Sequence, residues 1–138
     1  MKQVILNEYN IRMEKAAYLP IASGLLRAFS ETNAGIRDNY QFMPFQYHMD
    51  SSRNILSNYD DPAVAGFSLS MWNEQLNLTV AAEVKRRWPE CLIVFGGPHV
   101  PQHPQEYFRK YPFIDVAVRA EGEEAFAKIL LRFLESRN

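Results

Sequence analysis

Few residues of this 138-residue chain have the type and spacing for chemistry. Cys91 is its single cysteine, so the chain alone forms no intramolecular disulfide, zinc–thiolate cage or iron–sulfur cluster. His99 and His103 are four apart, a spacing that on a helix would aim two imidazoles at one metal. Pro98, Pro101 and Pro104 forbid that helix. His48 reads as a loop histidine, and Glu121, Glu123 and Glu124 as the acidic first turn of a last helix, favoured by its dipole. What remains is a set of small and aromatic residues placed just after short apolar runs: Ser68-Leu69-Ser70 with Trp72-Asn73, and Gly96-Gly97-Pro98-His99. Singly, each has a plain structural reading. Gly-Gly-Pro makes a tight turn, loop serines satisfy backbone groups, and Trp72 packs on the helix that follows it.

The elements that must position these residues alternate. Lys2 to Asn7, Ala63 to Ser68, Cys91 to Phe95 and Ile114 to Val118 are short runs too continuously apolar for a sheet wet on one face. Tyr40 to Gln46 is a poorer strand, broken by Pro44 and so expected at an edge. Between them lie helical patterns. One runs from Pro20 to Phe29, with Leu25, Leu26 and Phe29 to one side; a short one follows a Ser51 cap. Asn73 is placed to cap a third, to about Arg87, with Leu76, Val80, Val84 and Trp88 as its inward stripe and Lys85-Arg86-Arg87 as a solvated end. Pro104 to Tyr111 and Glu123 to Leu134 complete the set. In the former's neighbourhood, Tyr107, Phe108, Tyr111 and Phe113 read as packing or as a docking surface.

Five strands alternating with helices predict a single α/β domain over residues 1–138, doubly wound and flavodoxin-like, with a five-stranded parallel sheet and helices on both faces. Open sheets of this kind bind ligands beyond the carboxyl ends of their strands. That directs attention to Asn7–Asn10, Ser68–Asn73, Gly96–Val100 and Arg119–Gly122. With 15 Lys+Arg against 16 Asp+Glu the chain lacks the basic footprint of a general nucleic-acid binder. No run approaches the ~18 apolar residues of a membrane span. The N-terminus turns polar too soon for a secretory signal, so a cytoplasmic location is expected.

Common occupants of this architecture fail on particular residues. After the first strand comes Asn7-Glu8-Tyr9-Asn10-Ile11, with no glycine for a dinucleotide turn. There is no Gly-Lys-Ser/Thr phosphate loop and no Gly-x-Ser-x-Gly elbow. A phosphoacceptor domain would need an aspartate where Ser68 stands. A flavin module would want a Ser/Thr-rich first loop, which is also missing.

The ordered set Gly66-Phe67-Ser68-Leu69-Ser70-Met71-Trp72-Asn73, Val84-Lys85-Arg86-Arg87-Trp88-Pro89 and Ile93-Val94-Phe95-Gly96-Gly97-Pro98-His99-Val100-Pro101 resembles the N-terminal cobalamin-binding domain of cobalamin-dependent radical S-adenosylmethionine enzymes. Ile114 to Phe126 continues the likeness, matching an Asp-x-x-Val-x-Gly-Glu-Gly-Glu-x-x-Phe segment with Ala120 in place of the first glycine. The resemblance is good over about residues 60 to 134, and only topological before that.

The resemblance implies a corrinoid held at the strand ends. Gly96 and Gly97 would let the backbone approach the ligand, and Ser68 and Ser70, around Leu69, would bond the nucleotide tail. Glu121 and Gly122 would border the same slot, with Glu8, Tyr9, Asn73, Pro98 and His99 around it. Methionine-synthase-type relatives carry Asp-x-His-x-x-Gly after the first strand, whose histidine ligates cobalt; here Glu8-Tyr9-Asn10-Ile11-Arg12-Met13-Glu14 has none. The expected state therefore has the tail base displaced, no histidine from this loop, and Trp72 over the lower corrin face, favouring a four-coordinate cob(I)alamin nucleophile.

Lacking a Cys-x-x-x-Cys-x-x-Cys motif, the chain would not cleave S-adenosylmethionine itself. S-adenosylmethionine and a [4Fe-4S] cluster would come with a radical catalytic domain, in cis or in trans, commonly a methyltransferase. The competing reading is an α/β interaction or regulatory module that keeps the scaffold without the cofactor.

Overall fold

In the computed structural model, which describes residues 1–10, 19–119 and 122–136, the apolar runs become parallel strands. The order along the chain is β1 (Lys2–Asn10), α1 (Ile21–Ser30), α2 (Ala34–Arg37), β2 (Tyr40–Phe42), β3 (Gln46–His48), α3 (Ser52–Leu56), β4 (Val64–Ser68), α4 (Glu74–Arg87), β5 (Leu92–Gly96), α5 (Gln105–Lys110), β6 (Val116–Ala117) and α6 (Glu123–Ser136). Across the sheet the order is β2-β1-β4-β5-β6, with β3 also paired to β1 and every pairing parallel. The expected edge strand is split around Pro44, which has no N–H for the ladder. Its halves pair separately, β2 with Lys2 to Val4 and β3 with Asn7 and Asn10. Counted as one interrupted strand, they give the 2-1-3-4-5 order of the flavodoxin-like class.

Alternation along the strands divides the core in two. Ile5, Ala65, Phe67, Ile93 and Phe95 face α3 and α4, packing on Ile55, Leu56, Leu78, Val80, Ala81 and Val84. Val4, Leu6, Val64 and Val94 face the other way, onto Ile36 of α2 and Phe126, Ala127, Leu130 and Phe133 of α6, with Leu26 of α1 against them. Both faces are thus covered, which is why the strands read as unbroken apolar runs. Tyr107, Phe108, Tyr111 and Phe113 pack against the first of these layers. No helix among the described residues is long and apolar enough to cross a membrane.

Four local expectations need correction. β1 runs to Asn10, so Glu8 and Tyr9 belong to a strand and not to a loop. Of the three apolar residues expected on one side of α1, only Leu26 packs on the core, while Leu25 and Phe29 are exposed, because the helix turns Ser23 and Ser30 inward. Asn73 occupies the residue before α4 but caps nothing with its side chain, which is committed elsewhere. Lys85 is no solvated helix end. Its Nζ donates to the Cys91 carbonyl and to Asp115 Oδ2, both at 2.7 Å, whereas Arg86 and Arg87 pair with Glu83 on the surface.

Asp115 also accepts from the Ile93 amide at 2.8 Å, so one carboxylate joins α4 to the starts of β5 and β6. Replacing Asp115 with alanine takes the acceptor from the Ile93 amide and the counter-charge from the Lys85 ammonium, which keeps only its bond to the Cys91 carbonyl. Asp115→Ala is expected to lower unfolding stability by about 1–3 kcal/mol with an unchanged urea m-value. An unaltered urea midpoint would show that the bridge adds nothing to the fold.

Candidate functional site

β4 and β5 are neighbours in register, Ser68 opposite Gly96, so the loops leaving them emerge side by side at the carboxyl edge of the sheet. Backbone hydrogen bonds lace the two loops together. Leu69 N–H donates to the Gly96 carbonyl at 2.6 Å, and His99 N–H donates to the Leu69 carbonyl at 3.2 Å. Gly97 sits where the loops touch. Its φ is +105°, and a Cβ built there would lie 2.7 Å from the Leu69 oxygen and 2.8 Å from the Leu69 nitrogen. Only glycine fits that conformation and that gap. Around Gly96 there is space, its nearest would-be Cβ neighbour being the Val118 oxygen at 3.8 Å.

Ser68 and Ser70 flank the buried Leu69. Among the described residues neither hydroxyl makes a hydrogen bond; Ser68 is half-buried and Ser70 is 8% exposed. Trp72 projects from the same loop, 48% exposed, beside the still more exposed Met71. Pro98 and His99 are exposed on the facing loop, where His99 Nε2 lies 3.4 Å from Glu74 Oε2. The Tyr107 hydroxyl donates to that same carboxylate oxygen at 3.1 Å; burial and the adjacent Glu74 charge push its phenol up.

Beneath the rim lies a layer of buried amides and phenols. Asn7 Oδ1 accepts from the Tyr9 and Tyr59 hydroxyls at 2.8 and 2.6 Å, while its Nδ2 donates to the Gly66 carbonyl. Burial raises both phenols, so they stay protonated donors throughout the physiological range. Asn73 links this layer to the loop above. Its Nδ2 donates to the Tyr9 and Ser68 carbonyls at 3.0 and 2.9 Å, and its Oδ1 accepts from Ser70 N–H at 2.8 Å and from Asn77 Nδ2 at 3.0 Å.

The structure therefore gathers Ser68, Leu69, Ser70, Trp72, Asn73, Gly96, Gly97, Pro98 and His99 around two adjoining loops. Tyr9 is near them, but its side chain is wholly buried, pointing into the core and not onto the rim. Glu8 lies alongside, its carboxylate accepting from Ser23 N–H at 2.8 Å and so tying α1 to the end of β1. Gly122 immediately precedes α6, and a Cβ built there would lie 3.6 Å from the Leu26 side chain; Glu121 lies outside the described residues. Sequence reasoning missed Tyr59 and Asn77, and it marked Asn7 only as the first residue of the Asn7–Asn10 segment, without a role. The available signal was Asn77's place in the inward stripe of α4, four residues after Asn73 and three before Val80. A separate hollow of about 1110 Å³ lies at the opposite end of the strands, lined by Lys2, Asp61, Ala63, Arg87 and Trp88 among others.

Sheet order, two-sided cover and the paired rim loops define a doubly wound domain of flavodoxin-like class. Residues 29–130 match the B12 binding domain family, and the chain belongs to that family. It is 36% identical over 126 residues to the 2-(S-pantetheinyl)-carbapenam-3-carboxylate methyltransferase of Streptantibioticus cattleyicolor, a match covering 91% of this chain and 18% of that protein. With the cobalamin-dependent radical SAM methyltransferase TokK of Streptomyces tokunonensis it shares 34% identity over 122 residues, 88% of this chain and 18% of the other. The chain thus spans less than a fifth of the length of these relatives. Among solved structures the RcsB response regulator of Salmonella typhimurium matches 99% of this chain and 62% of its own, with a TM-score of 0.64 at 17% identity. That likeness is one of fold.

The Gly96–Gly97 pair separates conformational need from open space. Gly97→Ala is expected to cost about 2 kcal/mol or more in urea unfolding, while Gly96→Ala changes stability by less than about 1 kcal/mol. Equal effects would mean that the loops re-form without the close approach at Leu69.

Proposed function

We propose that this chain holds cobalamin on the rim formed by the β4–α4 and β5–α5 loops, serving a larger radical S-adenosylmethionine enzyme that transfers methyl groups. One observation supports this most directly: Gly97 lies with positive φ against the Leu69 backbone, beside an open Gly96 and two unengaged serine hydroxyls. A broad ring with a long polar tail needs such a surface, without side chains over part of it and with small donors at its border. Membership of the B12 binding domain family and likeness to two methyltransferases support the same reading.

When bound, cobalamin supplies a cobalt centre that accepts and gives up a methyl group. The chain's own residues do the holding. Ser68 and Ser70 would bond the tail base or its phosphate, Gly96 and Gly97 would let the backbone lie close to it, and Pro98, His99 and Gly122 would border the slot. Trp72 would set an apolar indole against the lower corrin face and exclude water from the metal. No histidine stands between Glu8 and Glu14, so none reaches the cobalt from that segment. With one cysteine, the chain relies on a radical S-adenosylmethionine domain, in cis or in trans, for a [4Fe-4S] cluster and radical generation.

Hydroxocobalamin mixed with the purified chain is expected to co-elute with it on gel filtration. Gly96→Val, which fills open space, should weaken retention at least about tenfold while leaving the fold intact. After loading with cob(II)alamin, the EPR spectrum should lack nitrogen superhyperfine splitting from an axial imidazole. Free elution of the corrin from the unaltered chain would overturn the cofactor assignment; a nitrogen-split signal would overturn the histidine-free lower face alone.

A further inference from the structure

α4 carries an asparagine in its buried stripe where an aliphatic residue would serve packing better. Asn77 is fully buried, among Leu78, Val80, Ala81 and Val84. Its Nδ2 donates to the Ser68 carbonyl at 3.1 Å and to Asn73 Oδ1 at 3.0 Å. Its Oδ1 is buried too and has no hydrogen-bond partner among the described residues. A buried acceptor left unpaired works against folding. The fold therefore bears a cost at Asn77, and the two donated bonds are what that amide provides.

Both bonds end on the rim loop. The Ser68 carbonyl, at the last residue of β4, receives two amide donors at once, from Asn73 and Asn77. Asn73 in turn fixes Ser70 N–H and the Tyr9 carbonyl, and Asn77 fixes the Asn73 amide so that its oxygen faces Ser70. Asn73 has every hydrogen-bonding position filled by protein and is only 2% exposed. It is not free to bond a ligand.

We infer that Asn77, through Asn73, is a positioning residue. It locks the Ser68–Trp72 segment in the one conformation that sets Ser68, Ser70 and the exposed indole at the end of β4, at the expense of an orphaned carbonyl in the core. The ligand half of this inference rests on the corrinoid reading above; the loop half does not. A segment free to sample other shapes would pay its ordering entropy on binding, so the lock acts on affinity.

Asn77→Leu removes the orphan and both donated bonds at similar volume. The variant chain is expected to melt at an equal or higher temperature than the unaltered one. Its Ser70 amide should exchange with deuterium at least about tenfold faster, while the amides of β4 and β5 keep their protection. Hydroxocobalamin should bind at least about tenfold more weakly, with its absorbance change on binding reduced. Asn73→Asp, which keeps the acceptors but sets a carboxylate against two carbonyls, should give the same pattern of exchange and affinity. Unchanged Ser70 exchange in Asn77→Leu overturns the lock, whatever the cofactor. Loss of affinity in step with a fall in melting temperature overturns it as well, since that is ordinary structural damage. If the unaltered chain binds no corrin while Ser70 exchange responds as expected, the lock stands and the cofactor reading falls.

Discussion

Between the backbones of Leu69 and Gly97 there is no room for a side chain. That contact makes one surface out of two loops that would otherwise wave independently at the end of the sheet. It is available because β4 and β5 are adjacent, parallel and in register, so both chains leave the sheet at the same height with unpaired backbone groups still to satisfy. Leu69 N–H to Gly96 and His99 N–H to Leu69 extend the ladder one step past the strands. Everything displayed at the rim, from the Ser68 hydroxyl to the indole of Trp72, is held at positions which that extension sets.

The support below the rim is polar, which is unusual for a sheet packed on both faces. Burying amides is tolerable only when their hydrogen bonds are made, and Asn7 and Asn73 meet that condition. The two phenols on Asn7 gain from burial in a further way. Raised well above the usual tyrosine range, they cannot lose their protons near neutrality, so the network keeps its donor pattern across cellular pH. Asn77 is the exception, with one atom unpaired. That uncompensated atom falls in the helix that carries the rim loop; the other buried unpaired side-chain atoms among the described residues, Gln3 Oε1 and Ser30 Oγ, lie in β1 and α1.

Much of the fold was legible because it depends on local pattern. Continuous apolar runs mean strands covered on both sides, and Pro44 marks an edge because it cannot donate to a ladder. Ser51 caps α3 as its type suggests, accepting from Asn54 N–H. The rim was legible in part: Gly97 and the serines stand where chain direction puts the carboxyl ends of strands. Lys85 misled because a charged residue at a helix end usually meets water, and only the closeness of Cys91 and Asp115 gives it partners. Asn73 misled because its type and position suit a cap, while its partners come from β1 and from its own loop.

Sequence alone thus determined the class of sheet, the order of elements and the segments that meet at its carboxyl edge, since period, turn chemistry and chain direction are local properties. Tertiary structure decided which polar groups are available there. Tyr9 turns inward, Asn73 is consumed by protein partners, and the Ser68 and Ser70 hydroxyls take no hydrogen bond among the described residues. Hydrogen-bond capacity is spent between residues as far apart as Tyr9 and Asn73, and no spacing along the chain records how it is spent.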